Sequence, residues 1–356
     1  MRTRRLAAVA LAFVLAACGN DSPPASSEPS PSAAASPSPP SSLPSPSPSP
    51  ELTLAFGGDV HFEERTRRLL DRDPQTAFGP FAKELSEADF AMVNLESAIT
   101  ERGTPEPKRF LFRAPTSAYT AIQAAGIDLV SIANNHALDY GQVGLLDTLT
   151  SAKAANMAIV GAGRNTAEAY EPYVTMVKGV RVGVVALSQV YELAERWKPT
   201  DSRPGIAMAF DKDLSASAVR KARTLADLVI VYMHWGTEGS YCPNNDQKST
   251  AKLLAEAGAD VIVGTHAHMP QGEGFIGTTY VHYGLGNFLW YGPSKSTDSG
   301  LLTLTVTGRK VTKHTFIPAA ISSTGQAVPA AGSTLTAMRQ RLDRANACSG
   351  LAANPA

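Results

Sequence analysis

The sequence predicts an α/β fold with a mixed sheet for the region 51–320. Short apolar runs rich in Val and Ile alternate there with stretches of helical periodicity. Continuous apolar runs are typical of strands that are buried on both faces, and their alternation with helices indicates stacked layers of the two. Roughly 300 residues follow the first fifty, which is enough for one large domain with its own core.

Nine apolar runs are predicted to be strands, at 52–58, 88–95, 127–133, 181–188, 226–235, 259–266, 278–284, 301–308 and 311–318. Helices are expected between them at 64–71, 116–125, 141–155, 213–224 and 246–258. The last two strands flank Gly308 and Arg309, which indicates a hairpin and therefore a mixed sheet. The C-terminal region 321–356 is expected to hold a closing helix at 334–347 and a tail, LAANPA, that frays.

The first eighteen residues are predicted to be an export signal of the lipoprotein kind. Three arginines precede an apolar stretch at 6–17 that is too short to span a bilayer. The run LAAC at 15–18 looks like a bacterial lipobox, in which Cys18 becomes the lipidated N-terminus. The alternative is an ordinary cleaved signal with an incidental cysteine. Lipidation would anchor the protein to the bacterial cell membrane, outside the cytoplasm.

Residues 19–50 are predicted to be a disordered tether. Positions 21–50 contain 11 Pro and 12 Ser and no aromatic residue, so this stretch cannot bury a core and favours extended polyproline II. At ~3.1 Å per residue it could hold a domain up to roughly 90 Å from the membrane. The whole chain has 32 basic and 32 acidic residues without a cationic block, which argues against a nucleic-acid partner.

Two cysteines remain beyond the signal, Cys242 and Cys348. An even pair in an oxidising compartment can form a disulfide, which would clip the C-terminal tail to a loop. Two free thiols are the alternative.

Polar side chains cluster where the predicted strands end. In α/β folds, ligands bind beyond the carboxyl ends of the strands, and five of the seven histidines fall at such ends. A random scatter of histidines would rarely do this. Along the chain these polar residues are Asp59, His61, Asn94, Glu96, Asn134, Asn135, His136, Asp139, His234, His266 and His268.

Seven of these residues predict a site for two divalent metal ions. Imidazole nitrogen and carboxylate or amide oxygen suit hard or borderline metals, and no cysteine lies near these motifs. Seven ligands are too many for one catalytic metal with an open position, but they fit two metals that share a carboxylate. The candidate ligands are Asp59, His61, Glu96, Asn135, His234, His266 and His268.

Taken singly, several of these residues have plainer explanations. Asp59 follows two glycines and could cap the next helix. Asn134 and Asn135 suit a turn, because asparagine tolerates left-handed backbone. Asp139 could support a ligand histidine or cap the helix that begins near Tyr140.

Three residues outside the main cluster are also ambiguous. His282 lies in a predicted strand and fits either the core or a substrate contact. His314 lies in the late hairpin and fits a solvated face, and the Trp235 ring fits a wall of the cleft.

The strand ends carry five short motifs, NLES (94–97), ANNHALDYG (133–141), HWGTE (234–238), GTHAHMPQ (264–271) and HYGLGNF (282–288). In this order they resemble the CapA family of capsule and poly-γ-glutamate synthesis proteins. Asp59-Val60-His61, Asn135-His136, His234 and the GTHAH run also look like the motif series of calcineurin-like metallophosphoesterases. The resemblance covers residues 52 to 290, and the five motifs are specific only as a set.

The resemblance implies the four-layered α/β sandwich of metallo-dependent phosphatases, with mixed central sheets. It implies two divalent metal ions, of Mn, Fe or Zn. One ion would be held by Asp59, His61 and His268. The other would be held by Asn135, His234 and His266, with Glu96 as the bridge. His136 would be the acid that protonates a leaving group. Glu96 stands where the phosphoesterases have Asp, and Gly284 stands where Ser is expected.

The substrate side of the site is expected to involve the loop KRFLFRAP at 108–115. Lys108, Arg109 and Arg113 alternate there with Phe110 and Phe112, so the loop could receive an anionic group above the metals. A solvated basic loop is the alternative. The candidate substrate-binding residues are Asn94, Arg113, Glu238, Gln271 and Asn287.

The function implied by the resemblance is that of an extracytoplasmic CapA-like lipoprotein in capsule or poly-γ-glutamate biogenesis. It would be a metal-dependent hydrolase or transferase acting at a phosphoryl or acyl centre. Its partners would be an anionic polymer or a phosphorylated or acyl substrate, the membrane, and membrane proteins of polymer synthesis. The alternative is a metal-bearing protein that binds polymer in an export or anchoring assembly without turnover. Retention of His61 and His136 favours chemistry, because a scaffold has no need of a general acid.

Overall fold

Two mixed β-sheets lie at the centre of the folded region. The computed structural model of the protein describes residues 50–292 and 295–356, so the signal, Cys18 and the tether up to residue 49 lie outside the described residues. None of the helices described is long and apolar enough to cross a membrane.

The strands are β1 (Glu51–Val60), β2 (Phe90–Leu95), β3 (Ala98–Ile99), β4 (Arg113–Ala114), β5 (Leu129–Ser131), β6 (Ala158–Val160), β7 (Ala162–Gly163), β8 (Tyr173–Val177), β9 (Val180–Ser188), β10 (Gly205–Ile206), β11 (Leu228–Trp235), β12 (Val261–His266), β13 (Glu273–Ile276), β14 (Thr279–His282), β15 (Asn287–Leu289), β16 (Asp298–Thr307), β17 (Lys310–Ile321) and β18 (Ala327–Pro329). The α-helices are α1 (Glu64–Arg72), α2 (Ala82–Glu87), α3 (Ser117–Ala124), α4 (Gly141–Ala154), α5 (Thr166–Ala169), α6 (Ala194–Trp197), α7 (Lys212–Leu225), α8 (Asn245–Ala257) and α9 (Gly332–Ser349). Two 3-10 turns, Pro74–Thr76 and Gly79–Phe81, precede α2.

Both large sheets are parallel in the middle and antiparallel at one edge or both. The first has the order β18-β17-β16-β1-β2-β5-β6, with β15 also paired to β1. In it β1 runs parallel to β2 and β15 and antiparallel to β16. The second has the order β13-β14-β12-β11-β9-β8, in which β9, β11, β12 and β14 are parallel. The carboxyl ends of the parallel strands therefore meet at one edge of each sheet.

The two sheets pack face to face between two layers of helices. The apolar cluster between the sheets contains Leu54 of β1 and Ile230 of β11. A second cluster packs Leu145 of α4 against the first sheet, and a third packs Leu254 of α8 against the second sheet. The predicted four-layered α/β sandwich with mixed central sheets is confirmed.

The unit β11–α8–β12 shows how local sequence sets the position of the site. Helix α8 begins with a capping box, in which Asn244 and Gln247 exchange side-chain and backbone hydrogen bonds. It ends at Gly258, whose φ of 114° suits glycine. The two strands that flank the helix are parallel and fully buried, and they end at Trp235 and His266.

All nine predicted strands and the six predicted helices are present in the described residues, with ends shifted by a few positions. The prediction that LAANPA frays is wrong. Ala352 donates to Phe275 O at 3.0 Å and accepts from Phe275 N at 2.8 Å, and Ala356 N donates to Gly277 O at 2.9 Å. The backbone of the tail is thus paired with β13 and the turn that follows it.

The disulfide between Cys242 and Cys348 is confirmed, with Cα atoms 5.7 Å apart. It joins the loop after β11 to the last turn of α9. This link explains why the tail is ordered, because it holds the end of α9 beside β13.

Candidate metal centre

The site lies where the carboxyl ends of β1, β2, β11 and β12 converge. Asp59 near the end of β1 is level with Asn94 of β2 and Asn287 of β15 in the strand registers. Its Oδ2 accepts a hydrogen bond from the backbone N of His266, at 3.1 Å. One carboxylate therefore connects the first sheet to the second at the point where the histidines of GTHAHMPQ begin.

The backbone of the GTHAH run is strained at both histidines. His266 has a φ of 83° and His268 a φ of 55°, the left-handed region that costs a non-glycine residue on the order of 1 kcal/mol. Both residues are buried. The strained turn aims the two imidazoles at the same site from positions two residues apart.

Two groups of three donors share Glu96. One consists of Asp59, Glu96 and His268, and the other of Glu96, His234 and His266, with the donor atoms of each group within 4.8 Å of one another. Glu96 is fully buried, and neither of its carboxylate oxygens has a hydrogen-bond partner within the described part of the chain. A buried carboxylate without partners is costly unless a cation neutralises it, so this residue fits a metal bridge.

The charge states of these groups also suit metal ions. Burial and the charge of Asp59 raise the pKa of Glu96 well above its usual range, so an added cation is needed to keep both carboxylates ionised. Burial lowers the pKa of His234 to about 3 and that of His266 well below 6.5. Both imidazoles are therefore neutral at pH 7, which is the form that binds metals.

Asp59 and His268 form a buried ion pair. His268 Nδ1 lies 3.4 Å from Asp59 Oδ2. Burial opposes the charge on His268, but pairing with Asp59 and the nearby Glu96 raises its pKa to about 9. Burial likewise opposes ionisation of Asp59, yet His268 and His234 hold the pKa of that carboxyl below its usual value.

Two asparagines predicted to bind substrate support ligand side chains in the structure. Asn94 Nδ2 donates to Asp59 Oδ1 at 2.8 Å, and Asn134 Nδ2 donates to Asn94 Oδ1 at 3.0 Å. Asn287 Oδ1 lies 2.8 Å from His268 Nδ1. Contact of Asn94 and Asn287 with substrate stays a prediction.

Asn135 and His136 lie on the turn that follows β5. Asn135 Oδ1 is 2.8 Å from His234 Nε2, beside the second donor group. His136 Nδ1 is 2.6 Å from Asp139 Oδ2, and His136 Nε2 is 3.8 Å from Glu96 Oε1. Asp139 thus contacts the predicted acid and not a predicted ligand histidine, and α4 has no side-chain cap at its start.

His61 lies outside both donor groups. Its ring stacks on Phe112 at a centroid distance of 4.4 Å and contacts Trp290 and Tyr291 at 4.3 and 4.6 Å. The backbone N atoms of Glu63 and Tyr291 lie 3.2 and 3.3 Å from its Nδ1 and Nε2. A neutral imidazole has one acceptor nitrogen, so only one of these amides can donate at a time. A metal-binding role for His61 stays a prediction.

The other three substrate candidates have different surroundings. Glu238 is exposed and forms a third donor group with His266 and His268. Gln271 is buried and bonds to the Gln247 side chain and to Ser240 O, so it supports the disulfide loop. Arg113 places its guanidinium 3.3 Å from the centroid of the Tyr140 ring.

The loop KRFLFRAP at 108–115 is only partly exposed to solvent. Arg109 and Phe110 are exposed, whereas the Lys108 side chain is 1% exposed and Phe112 packs between His61 and His136. Neither expectation for this loop anticipated a lysine turned into the protein. Trp290 and Tyr291, which wall the site, were also missed, because an aromatic pair after a strand carries no specific signal.

The remaining ambiguous residues are part of the scaffold. Trp235 is buried and its Nε1 donates to Tyr283 O at 2.8 Å. His282 is buried and packs against Phe316, with ring centroids 4.9 Å apart. His314 is not on a solvated face as expected, since its Nδ1 lies 3.2 Å from Glu273 Oε2 and its side chain is 34% exposed.

The chain is an α/β sandwich with two His–carboxylate groups at one edge that could each hold a metal ion. Its similarity to known proteins specifies the family. Residues 53–291 match the model of the family described as "Bacterial capsule synthesis protein PGA_cap". The chain belongs to this family.

Three relatives named for capsule, PGA or polyglutamine synthesis are each 30% identical or less to this chain over the aligned residues. It is 29% identical to the capsule biosynthesis protein CapA of Bacillus anthracis over 262 residues, which is 71% of this chain and 63% of that protein. It is 27% identical to the PGA biosynthesis protein CapA of Bacillus subtilis over 256 residues, covering 70% and 67%. A probable polyglutamine synthesis accessory protein of Mycobacterium tuberculosis is 30% identical over 199 residues, covering 53% and 52%. The chain thus spans about half to two thirds of the length of these relatives.

Two solved structures can be superposed on this chain at lower sequence identity. A novel phosphatase from Mycoplasma pneumoniae has a TM-score of 0.49 and 14% identity, covering 76% of this chain and 94% of that one. A putative 5'-nucleotidase from Staphylococcus aureus has a TM-score of 0.48 and 15% identity, covering 83% and 58%.

Proposed function

We propose that this protein is an extracytoplasmic component of capsule or poly-γ-glutamate biogenesis with a two-metal hydrolase or transferase site. Membership of the capsule synthesis family and the names of its relatives support the process. The observation that carries the chemistry is the buried Glu96, which two donor groups share and whose carboxylate accepts no hydrogen bond from the residues that the structure describes.

The residues present fit two divalent ions. Asp59 and His268 would hold one, with His61 predicted as a further ligand. His234, His266 and Asn135 would hold the other, and Glu96 would bridge them. The donors are imidazole, carboxylate and amide without sulfur, which suits Mn, Fe or Zn. When bound, such a pair polarises a phosphoryl or acyl oxygen and lowers the pKa of water.

His136 is placed to move a proton at the edge of this site. Its Nδ1 is held by Asp139, so its Nε2 faces Glu96. Because the Nδ1 proton is held by Asp139, Nε2 would first take up a proton at the site and then pass it to a leaving group. Phe112 stacks on the His136 ring with centroids 4.1 Å apart and shields it from water.

The test is turnover of the purified full chain with manganese or zinc. A chromogenic phosphodiester, a phosphomonoester and a γ-glutamyl anilide serve as substrates. We expect at least one to be hydrolysed, and we expect His136→Ala to reduce its kcat on the order of 100-fold or more while metal content is unchanged. Bound metal with no turnover of any substrate would contradict the hydrolase and favour the polymer-binding role.

A further inference from the structure

Lys108 is a buried lysine that the proposed chemistry does not use. It lies between β3 and β4, and its side chain is 1% exposed. The Nζ atom lies 2.6 Å from Asp139 Oδ1 and 3.1 Å from Glu192 Oε2, and it donates to Asn135 O. It also lies 4.8 Å from the centroid of the Trp197 ring. A lysine is seldom buried in this way unless its charge is compensated.

These contacts surround the ammonium group with acceptors. A lysine ammonium has three N–H donors and no acceptor, and Asn135, Asp139 and Glu192 supply three oxygens. His136 Nδ1 lies 3.4 Å from Nζ, farther away than the oxygens of Asp139 and Glu192. The three acceptors belong to the turn after β5 and to the loop after β9, so Lys108 fastens its own loop to both.

Contacts with Lys108 and Phe112 determine the hydrogen-bonding role of the Asp139 carboxyl group. Its Oδ1 accepts from Lys108, and its Oδ2 accepts from Phe112 N at 2.6 Å. The positive charge of Lys108 favours the ionised form of Asp139, and an ionised carboxylate has acceptors only. His136 Nδ1, which is 2.6 Å from Oδ2, must therefore be the donor in that pair. This leaves Nε2 as the nitrogen that faces Glu96.

We propose that Lys108 is a positioning residue, which holds Asp139 as an acceptor and thereby fixes the His136 ring with Nδ1 protonated and Nε2 directed at the site. The inference rests on the proposed function for the role of His136 as an acid. Burial alone would raise the pKa of Asp139, which is about 7 even with Lys108 beside it, so the carboxylate depends on this neighbour.

The direct test is ¹⁵N NMR of the histidine rings in the purified full chain, metal-free and after addition of zinc, at one fixed pH. The His136 signals are assigned by their loss in His136→Gln. In the native chain we expect Nδ1 to be protonated. In Lys108→Met we expect the Nε2-protonated form to become the major tautomer, and in Lys108→Arg we expect the native form to be restored at least in part.

Lys198→Met is the matched control, because Lys198 is about half exposed and pairs with Glu195 at the surface; its His136 signals should match the native ones. Circular dichroism checks the fold of each variant, and Lys108→Gln replaces Lys108→Met if the latter does not fold. An unchanged Nδ1-protonated ring in folded Lys108→Met or Lys108→Gln would overturn the proposal.

The tautomer is read without any substrate, so this outcome is independent of whether the protein is a hydrolase. If a substrate is hydrolysed, Lys108→Met should lower kcat on the order of tenfold or more with little change in KM. A fall in activity with an unchanged tautomer would assign Lys108 a structural role and contradict the proposal.

Discussion

At the scale of single residues, the two donor groups differ in what each histidine contributes. His234 and His266 are neutral and buried beside Glu96. His268 differs from them, because burial opposes its charge but pairing with Asp59 raises its pKa to about 9. Metal binding at the Asp59 group must displace this proton, so it should weaken more steeply than the other site as pH falls.

His268→Ala tests the division of ligands between the two groups. His268 belongs to the Asp59 group and not to the His234 group, so its loss should lower metal content from about two ions per chain to about one. Elemental analysis of the purified full chain measures this. His314→Ala is the control, since His314 lies beside Glu273 and outside the donor groups. Equal loss of metal in the two variants would count against the division.

At the scale of elements, the carboxyl ends of parallel strands carry the candidate donor groups, and an edge of the second sheet carries a separate ion pair. Glu273 of β13 accepts from the Tyr280 hydroxyl of β14 and pairs with His314 of β17. Burial opposes ionisation of Glu273, but these partners lower its pKa from 4.5 to about 2. This pair therefore joins the hairpin β13–β14 to β17 of the first sheet.

The low pKa of Glu273 predicts a pH dependence of stability. A carboxyl whose folded-state pKa is lowered stabilises the fold above its unfolded value of 4.5, and this contribution is lost as pH falls towards 2. Between pH 5 and pH 3, the free energy of unfolding measured with urea should fall by about 2 kcal/mol more for the native chain than for Glu273→Gln. Glu87→Gln, at an exposed residue, should behave like the native chain. If the free energy of unfolding changed with pH in the same way in the native chain and in Glu273→Gln, the stabilising pair of Glu273 and His314 would be refuted.

Sequence patterns predicted the long elements and the ligand candidates, because buried strands and their polar ends leave a local signal. The nine strands and the strand-end positions of Glu96, His234, His266 and His268 belong to this class. Lys108 could not be placed, since burial of a loop lysine depends on Asp139 and Glu192, which lie 31 and 84 positions further along the chain. The aromatic contacts of His61 likewise could not be predicted, because Trp290 and Tyr291 lie more than 200 residues further along the chain.

At the scale of the whole molecule, the folded region is expected to be tethered to the membrane through Cys18. This expectation rests on the LAAC run and the Pro- and Ser-rich segment that follows it. A single lipid-modified cysteine would place the metal site outside the cytoplasm, where a polymer that leaves the cell could reach it.

Cys18→Ser tests the anchor in a bacterial host that processes lipoproteins. The native chain should be recovered in the membrane fraction and should label with a fatty acid, and the variant should lose the label and leave the membrane fraction. Cys242→Ser is the control, because Cys242 lies in the disulfide and its loss leaves the lipobox intact. Fatty-acid labelling of Cys18→Ser would show that the lipid is attached elsewhere.

Glu96 is proposed to bridge two metal ions, and the most direct test is to compare the metal content of the purified native chain with that of Glu96→Gln. Elemental analysis should give about two ions per native chain and well under one in Glu96→Gln, because the amide removes the charge that both groups share. Glu256→Gln, at an exposed residue of α8, should retain the native content. No bound metal in the native chain after reconstitution, or unchanged content in Glu96→Gln, would contradict the account.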